Sequence, residues 1–216
     1  MTFGVELVGD EFYVSYTRGT VKSLTLRLLK PAPDAKLHVY QPLAPGCVRL
    51  LRRVPQLDES IVVFEFVTCS VQDAAAARPD YSAVSYCWGT QAAQTSLSLA
   101  DGSHIPVTAK VATILTRLVA DRPLLWLDAV CINQADAAEK ARQIPLMASV
   151  YRRAGAVEVW LEAGDGLAKV AHLWSEDKLH IVHNPGRADP FTPYRADKMV
   201  DVLWSSWFER AWVLQE

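Results

Sequence analysis

The stretch "LLWLDAVCINQADAAEKARQIPLMASVYRRAGAVEVWL" (residues 124–161) predicts a strand, a helix and a second strand in that order. Four consecutive apolar residues precede Asp128, which is typical of a parallel strand covered on both faces. The middle of the stretch has apolar residues at helical spacing, and "AVEVWLE" (156–162) is rich in β-formers. Strand, helix and strand of these lengths indicate a crossover unit of an α/β sheet.

The predicted helix in this stretch covers residues 135–155. Asp136 and Glu139 have the spacing of a capping box at its start. Gly155 stands where a C-cap glycine is expected. Pro145 lies in the middle and removes a backbone hydrogen bond, so we expect a kinked helix.

The same alternation precedes and follows the stretch. "YSAVSYCWG" (81–89) predicts a strand, and residues 107–123 predict a helix with Thr108 as its N-cap. We expect a long loop with one short helix at 163–194 and a last helix at 196–207. The chain is therefore predicted to be an α/β protein with a parallel central sheet and flanking helices.

Residues 1–70 are harder to interpret, because proline-bearing loops separate short apolar runs. "IVVFEFV" (61–67) predicts a strand. We interpret 1–70 as a lead-in segment containing β-structure that packs on the main domain, and 71–216 as that domain.

Composition excludes several classes of partner. The 216 residues include 22 basic and 24 acidic side chains, a balance that does not indicate nucleic acid or an anionic membrane. No segment approaches the roughly 20 apolar residues that span a bilayer, and the N-terminus lacks the basic start of a secretory signal. Four cysteines without a Cys-x-x-Cys pair favour reduced thiols. We expect a cytoplasmic protein with no membrane span.

Polar clusters follow the predicted parallel strands at 85–89, 128–134 and 162–165. Ligands of such sheets bind beyond the carboxyl ends of the strands, so we expect the clusters to meet at one rim. Asp128 either caps a turn or takes part in a site. The candidate ligand-binding residues from the clusters are Ser85, Tyr86, Trp88, Gly89, Asp128 and Asn133.

Other candidate groups are less specific. Cys87 and Cys131 have no histidine nearby in sequence to act as a base, so structural thiols are favoured. His180 and His183 lack a third ligand, so no metal site is predicted.

Two residues near the end of the chain are further candidates. Trp212, like Trp88, is a candidate for stacking on a flat ligand. Arg210 is more often a packed ion-pair partner than a phosphate clamp, and its expected partner is a carboxylate such as Asp128.

Three blocks together resemble the fungal heterokaryon incompatibility (HET) domain family: "YSAVSYCWG" (81–89), residues 124–161 and "WFERAWVLQE" (207–216). They occur in the family's order. The chain departs from the family pattern at Glu162, where glycine is common, and at Pro145, where an apolar helix former is common.

The resemblance implies a role in nonself recognition between fungal cells that ends in programmed cell death. It also implies a remote similarity to the Toll/interleukin-1 receptor (TIR) domain, which has a flavodoxin-like fold. Several members of that wider group cleave NAD with a glutamate in a Trp-x-x-x-Glu stretch. Trp212 and Glu216 have this spacing, so the resemblance makes Glu216 the candidate catalytic residue.

On this hypothesis Glu216 stabilises the positive charge that develops on the ribose when nicotinamide leaves. Tyr86 and Trp88 stack on a ring, and Asp128 and Asn133 shape the pocket. NAD is the substrate and nucleotide ligand, and no cofactor or metal is required. Because a catalytic residue at a chain end is poorly held, we expect this chain to be cut short there.

Two other hypotheses stay open. The domain is a non-enzymatic signalling module that kills by self-association into a homo-oligomer and by recruiting a protein partner, since fold does not fix function. Alternatively, all three motifs only stabilise the fold, with Asn133 and Gln134 satisfying buried backbone groups.

Overall fold

The computed structural model describes residues 3–8, 11–18, 21–28, 34–72, 79–90, 92–93, 95–122, 124–162, 168–174 and 178–182. The predicted helix at 196–207 and the candidates Arg210, Trp212 and Glu216 lie outside the described residues.

The N-terminal part of the chain is built from strands. Five strands precede the first family-like block: β1 (Phe3–Val8), β2 (Glu11–Arg18), β3 (Val21–Leu28), β4 (Cys47–Val54) and β5 (Ile61–Ser70). This confirms the β-structure expected in the lead-in segment and the strand predicted at 61–67.

The rest of the described chain contains both strands and helices. The elements are β6 (Ser82–Tyr86), β7 (Thr95–Ser98), β8 (His104–Val107), α1 (Ala109–Leu118), β9 (Leu124–Trp126), α2 (Asp128–Cys131), α3 (Ala137–Gln143), a 3-10 turn (Ile144–Leu146), α4 (Met147–Arg153), β10 (Ala156–Glu162), β11 (Ala168–Trp174) and β12 (Lys178–Val182). The helices of the described part are too short and too polar to cross a membrane.

Among the described residues, ten strands form one mixed sheet in the order β1-β2-β3-β5-β4-β9-β6-β10-β11-β12. The centre, β9-β6-β10, is parallel, which confirms the predicted parallel core. The flanking pairs β4–β9 and β10–β11 are antiparallel, so the sheet as a whole is mixed. The connection from β10 to β11 is too short for a crossover helix, which explains the antiparallel return.

Helices cover both faces of the parallel centre. Strands β9 and β10 lie on opposite sides of β6, so right-handed crossovers place α1 and α4 on opposite faces. Tyr151 of α4 packs edge-on against Trp126, with ring centroids 5.6 Å apart. On the other face, Arg122, which follows α1, donates to Glu158 of β10 at 2.8 Å. Because both faces are covered, every residue of β6 is buried.

The single helix predicted at 135–155 is divided at Pro145 into α3, the 3-10 turn and α4. Asp136 caps α3 as predicted, accepting from the N–H groups of Ala138 and Glu139. The second hydrogen bond of the expected capping box, from the Asp136 N–H to the Glu139 side chain, does not form, because that side chain pairs with Arg49. This half of the prediction is wrong.

The expected role of Gly155 as a C-cap glycine is also wrong. It does not have the positive φ of such a cap, and its N–H donates to the Tyr81 carbonyl at 2.9 Å. A Cβ at this position would collide with the carboxylate of Asp80. Gly155 therefore contacts the residues that lead into β6 and does not act as a helix cap.

Two hairpins differ from the sequence-based expectations. The loop predicted at 163–194 contains β11 and β12, which pair with each other and extend the sheet. The hairpin of β7 and β8 was not predicted, although Asp101-Gly102 is a recognised turn signal. Gly102 has a φ of 81°, which explains why glycine occupies that turn.

The position of β4 inside the sheet can be tested with Leu51, which is buried and pairs with Phe66 of β5 and Leu125 of β9. Leu51→Ala leaves a cavity between strands and should lower the free energy of unfolding by about 2–5 kcal/mol. Urea denaturation followed by circular dichroism measures the change. Leu57→Ala, at a fully exposed side chain, is the control and should stay within about 0.5 kcal/mol. Equal stability of Leu51→Ala and the wild type would contradict this placement.

Candidate functional site

Two family-like blocks meet at the carboxyl ends of β6 and β9. These strands are parallel neighbours, so the segments that follow them leave the same edge of the sheet. The indole Nε1 of Trp88 donates to both carboxylate oxygens of Asp128, at 3.1 and 3.0 Å. We call the surface formed by Trp88, Gly89 and Asp128 the motif rim.

Asp128 is the first residue of α2 and has two structural tasks. One carboxylate oxygen accepts from the N–H of Ala129 at 2.7 Å, and the same carboxylate fixes the Trp88 indole. Its backbone carbonyl accepts from the side-chain amide of Gln134 at 2.8 Å. Asp128 therefore binds a backbone N–H of the first turn of α2 and also orients the aromatic side chain of the rim. Its expected partner, Arg210, lies outside the described residues.

Trp88 is partly exposed, with 43% of the residue accessible to solvent. Its edge is held by Asp128, so the ring has a defined orientation on the surface. A fixed and exposed aromatic ring can stack on a planar ligand.

Lys110 lies beside the motif rim and was not among the residues predicted from the sequence. Its ammonium donates to the Cys87 carbonyl at 2.9 Å. It lies 3.3 Å from the position that a Cβ on Gly89 would take, and Gly89 has a φ of 73°. A signal was present, because Lys110 is a basic residue in the first turn of α1, where acidic residues are preferred. The lysine adds positive charge beside Trp88.

Ser85 and Tyr86 are placed differently from the exposed candidates. Both belong to β6 and both are buried, so they contact protein and do not line the surface. Asn133 shapes its own turn: its side-chain oxygen accepts from the N–H of Ala135 at 3.1 Å. Its backbone N–H donates to Glu139 at 2.8 Å.

A buried ion pair joins β4 to α3, next to the short helix that begins with Asp128. Arg49 of β4 donates to both carboxylate oxygens of Glu139, at 2.5 and 3.1 Å. The guanidinium also donates to the carbonyls of Cys131 and Gln41. Both side chains are almost completely buried. Sequence analysis missed this pair because its members are 90 residues apart.

Tyr40 supports the same region. Its hydroxyl donates to the Val130 carbonyl at 2.9 Å, and the Arg49 guanidinium lies over its ring at 4.9 Å. Burial raises the pKa of Tyr40, so the hydroxyl remains a donor at neutral pH. Residues 40–49 thus contact α2 from its C-terminal side.

The thiol of Cys131 is not a nucleophile. Cys131 is completely buried, and burial raises its pKa to about 12. At neutral pH it is a protonated core side chain, as the absence of a nearby base suggested. None of the four cysteines forms a disulfide. Across the described residues, no group of three or more His, Cys, Asp or Glu side chains is arranged to hold a metal ion.

Glu139 is charged in spite of its burial. Burial acts to raise the pKa of its carboxyl group, but hydrogen bonds from Arg49 and from the Asn133 N–H outweigh it and hold the pKa below the usual 4.5. The ionised carboxylate is therefore stabilised in the folded protein.

Comparisons with known proteins place most of the chain in one family. A family model described as "Heterokaryon incompatibility protein (HET)" matches residues 81–216. The chain is 32% identical over 185 residues to heterokaryon incompatibility protein 6, OR allele, of Neurospora crassa. That match covers 64% of this chain and 27% of the relative, so the chain spans only about a quarter of the relative's length. No solved structure matches the chain.

The ion pair makes stability depend on pH in a defined direction. The folded-state pKa of Glu139 is lowered. The stability that the ion pair contributes is therefore present above about pH 4.5, and it is lost as pH falls through the folded-state pKa. The stability difference between wild type and Glu139→Gln should shrink between about pH 6 and about pH 3. Urea denaturation across that range measures it. Glu65→Gln, at an exposed pair with Arg52, is the matched control. A difference that stays constant with pH would contradict the assignment.

Proposed function

Because the chain belongs to the heterokaryon incompatibility family, we propose that it is an effector domain of fungal nonself recognition whose activity ends in programmed cell death. The observation that carries this proposal is the hydrogen-bonded pair of Trp88 and Asp128, 40 residues apart. Each comes from a different family-like block, and both lie within the matched residues 81–216. The two blocks thus build one surface.

We propose further that the motif rim binds NAD. The exposed Trp88 ring offers a flat face for the nicotinamide or adenine ring. Lys110 places positive charge beside it, which suits the pyrophosphate. The carboxylate of Asp128 orients the indole, and 43% of Trp88 stays exposed.

Strand order supports a ligand at this edge. The parallel strands lie in the order β9-β6-β10, so the first strand of the three in sequence is in the middle. This is the arrangement of the first three strands of flavodoxin-like sheets, the class to which TIR domains belong. Ligands of such sheets bind beyond the carboxyl ends of the strands, where the crossovers change direction. Trp88 follows β6 at that point.

The proposed reaction is hydrolysis of the bond between nicotinamide and ribose. Nicotinamide leaves as a neutral base with the bonding electron pair, and water adds to the ribose carbon and loses a proton, giving ADP-ribose. The ribose carries positive charge in the transition state, which a carboxylate stabilises. The resemblance assigns this role to Glu216 through its spacing to Trp212, and both residues lie outside the described part of the chain.

A second candidate function is a signalling module without chemistry. Among the described residues, the reactive groups at the motif rim and next to it already have structural roles. Asp128 binds Trp88 and Ala129, and Cys131 is buried and protonated. On this alternative the rim is a surface for a protein partner.

Nicotinamide release from NAD by the purified chain separates the two candidates. The NAD proposal expects release by the wild type, and Glu216→Gln should lower the turnover rate about 100-fold or more. Trp88→Ala should raise KM about tenfold, because one stacking contact is lost. Leu57→Ala lies at an exposed residue of the β4–β5 loop and should leave both constants unchanged.

A flat nicotinamide trace from the folded wild type, even at high protein concentration, would contradict NAD cleavage and favour the signalling module. Induced expression in a fungus tests the wider role. The chain should kill, and Trp88→Ala should reduce killing under either candidate. Unchanged killing by that variant would contradict a role for the rim.

A further inference from the structure

The segment Lys36–Tyr40 contains an isolated β-bridge and lies outside the residues that the family model matches. Leu37 bridges to His104 of β8 in parallel. The N–H of His38 donates to the His104 carbonyl at 2.9 Å, and the His104 N–H donates to the Lys36 carbonyl at 3.0 Å. In this geometry, residues 36 and 38 bond to β8, and the backbone groups of 37 and 39 point to the opposite edge.

That opposite edge is open. Among the described residues, no hydrogen bond uses the N–H or carbonyl of Leu37 or the N–H of Val39. The Val39 carbonyl accepts only from the Gln41 side chain, at 3.3 Å. Both side chains are exposed, Leu37 to 60% and Val39 to 73%. We call the backbone and side chains of Leu37–Val39 the open edge.

The open edge has a fixed base. His38 and Tyr40 point inward and pack on Phe66, with ring centroids 5.2 and 5.8 Å from it. A groove of about 430 Å³ lies between the segment and the β7–β8 turn and is lined by residues 34–39, Gln41 and 101–103. The segment is therefore held in place from β8 and from Phe66.

We propose that the open edge pairs antiparallel with the open edge of a second copy of this chain. The two-fold axis passes beside His38, so Leu37 of each copy lies opposite Val39 of the other. Residues 37 and 39 each present one N–H and one carbonyl, so this register forms four intermolecular hydrogen bonds. A two-fold interface requires such self-complementarity.

The side chains suit this register. Leu37 and Val39 of the two copies form one aliphatic cluster on the outer face, where each is now exposed to water. Lys36 lies opposite Tyr40 of the other copy, so no like charges face each other. Burial lowers the pKa of His38 below its usual 6.5, so the two imidazoles beside the axis are neutral at neutral pH.

The same edge lacks the usual protection against pairing. Natural edge strands carry outward charges, prolines or bulges, but positions 37 and 39 are aliphatic. Pro33 and Pro42 flank the segment and limit the pairing to a few residues. So short an interface buries less than a standard one, and we expect a dissociation constant on the order of 100 μM. This association does not depend on NAD cleavage.

Sedimentation velocity of the full chain from about 5 to about 500 μM tests the proposal. The wild type should shift from monomer toward dimer. Leu37→Lys/Val39→Lys should remain monomeric, because lysines then face each other across the axis. Leu37→Lys/Val39→Glu should dimerise again, since each new lysine faces a new glutamate of the other copy.

Leu57→Lys is the control, since it puts a lysine at another exposed apolar residue, and it should behave as the wild type does. Circular dichroism checks that each variant is folded. A wild type that stays monomeric at the highest concentration would overturn the proposal. Dimerisation of the double lysine variant to the wild-type extent would overturn it as well, because another surface would then be responsible. Failure of the lysine–glutamate variant to recover would reject the register.

Discussion

The buried ion pair of Arg49 and Glu139 is the interaction on which the rest of the described structure depends. Removing two charges from water is costly, and the cost is offset only where hydrogen bonds satisfy both groups. Here the guanidinium also binds the carbonyls of Cys131 and Gln41, and the carboxylate also accepts from the Asn133 N–H. One pair thereby joins β4, the end of α2, the turn that follows it and α3.

The Arg49–Glu139 pair also supports the motif rim, because Arg49 contacts the short helix α2. Arg49 and Tyr40 bind carbonyls at the end of α2, and Asp128 at its start binds the Trp88 indole. The orientation of the exposed tryptophan is therefore set partly by strands that precede residue 81. A surface proposed to bind a flat ligand benefits from such support, because a ring that is already oriented loses less entropy on binding.

Local sequence patterns predicted the elements that short-range interactions determine. Strands β6 and β10 and the Thr108 cap of α1 lie where apolar periodicity and capping chemistry place them. The antiparallel flanks and the Arg49–Glu139 pair depend on contacts between distant segments, which no local pattern encodes. Glu139 illustrates the limit, since its capping-box spacing is real but a buried arginine competes for its carboxylate. At the rim, Trp88 and Asp128 were foreseeable as strand-end residues. Lys110 left a signal in its place in the first turn of α1, but its contact with the Cys87 carbonyl depends on how α1 packs beside the loop.

A double-mutant cycle between Arg49→Met and Glu139→Gln tests the central claim most directly. If the pair holds α2 and α3 to β4, each single substitution should lower the free energy of unfolding by about 3–5 kcal/mol, because it leaves the other group buried without its partner. The double variant should lose much less than the sum, with a coupling energy of about 2 kcal/mol or more at neutral pH. Additive effects of the two substitutions would contradict the account.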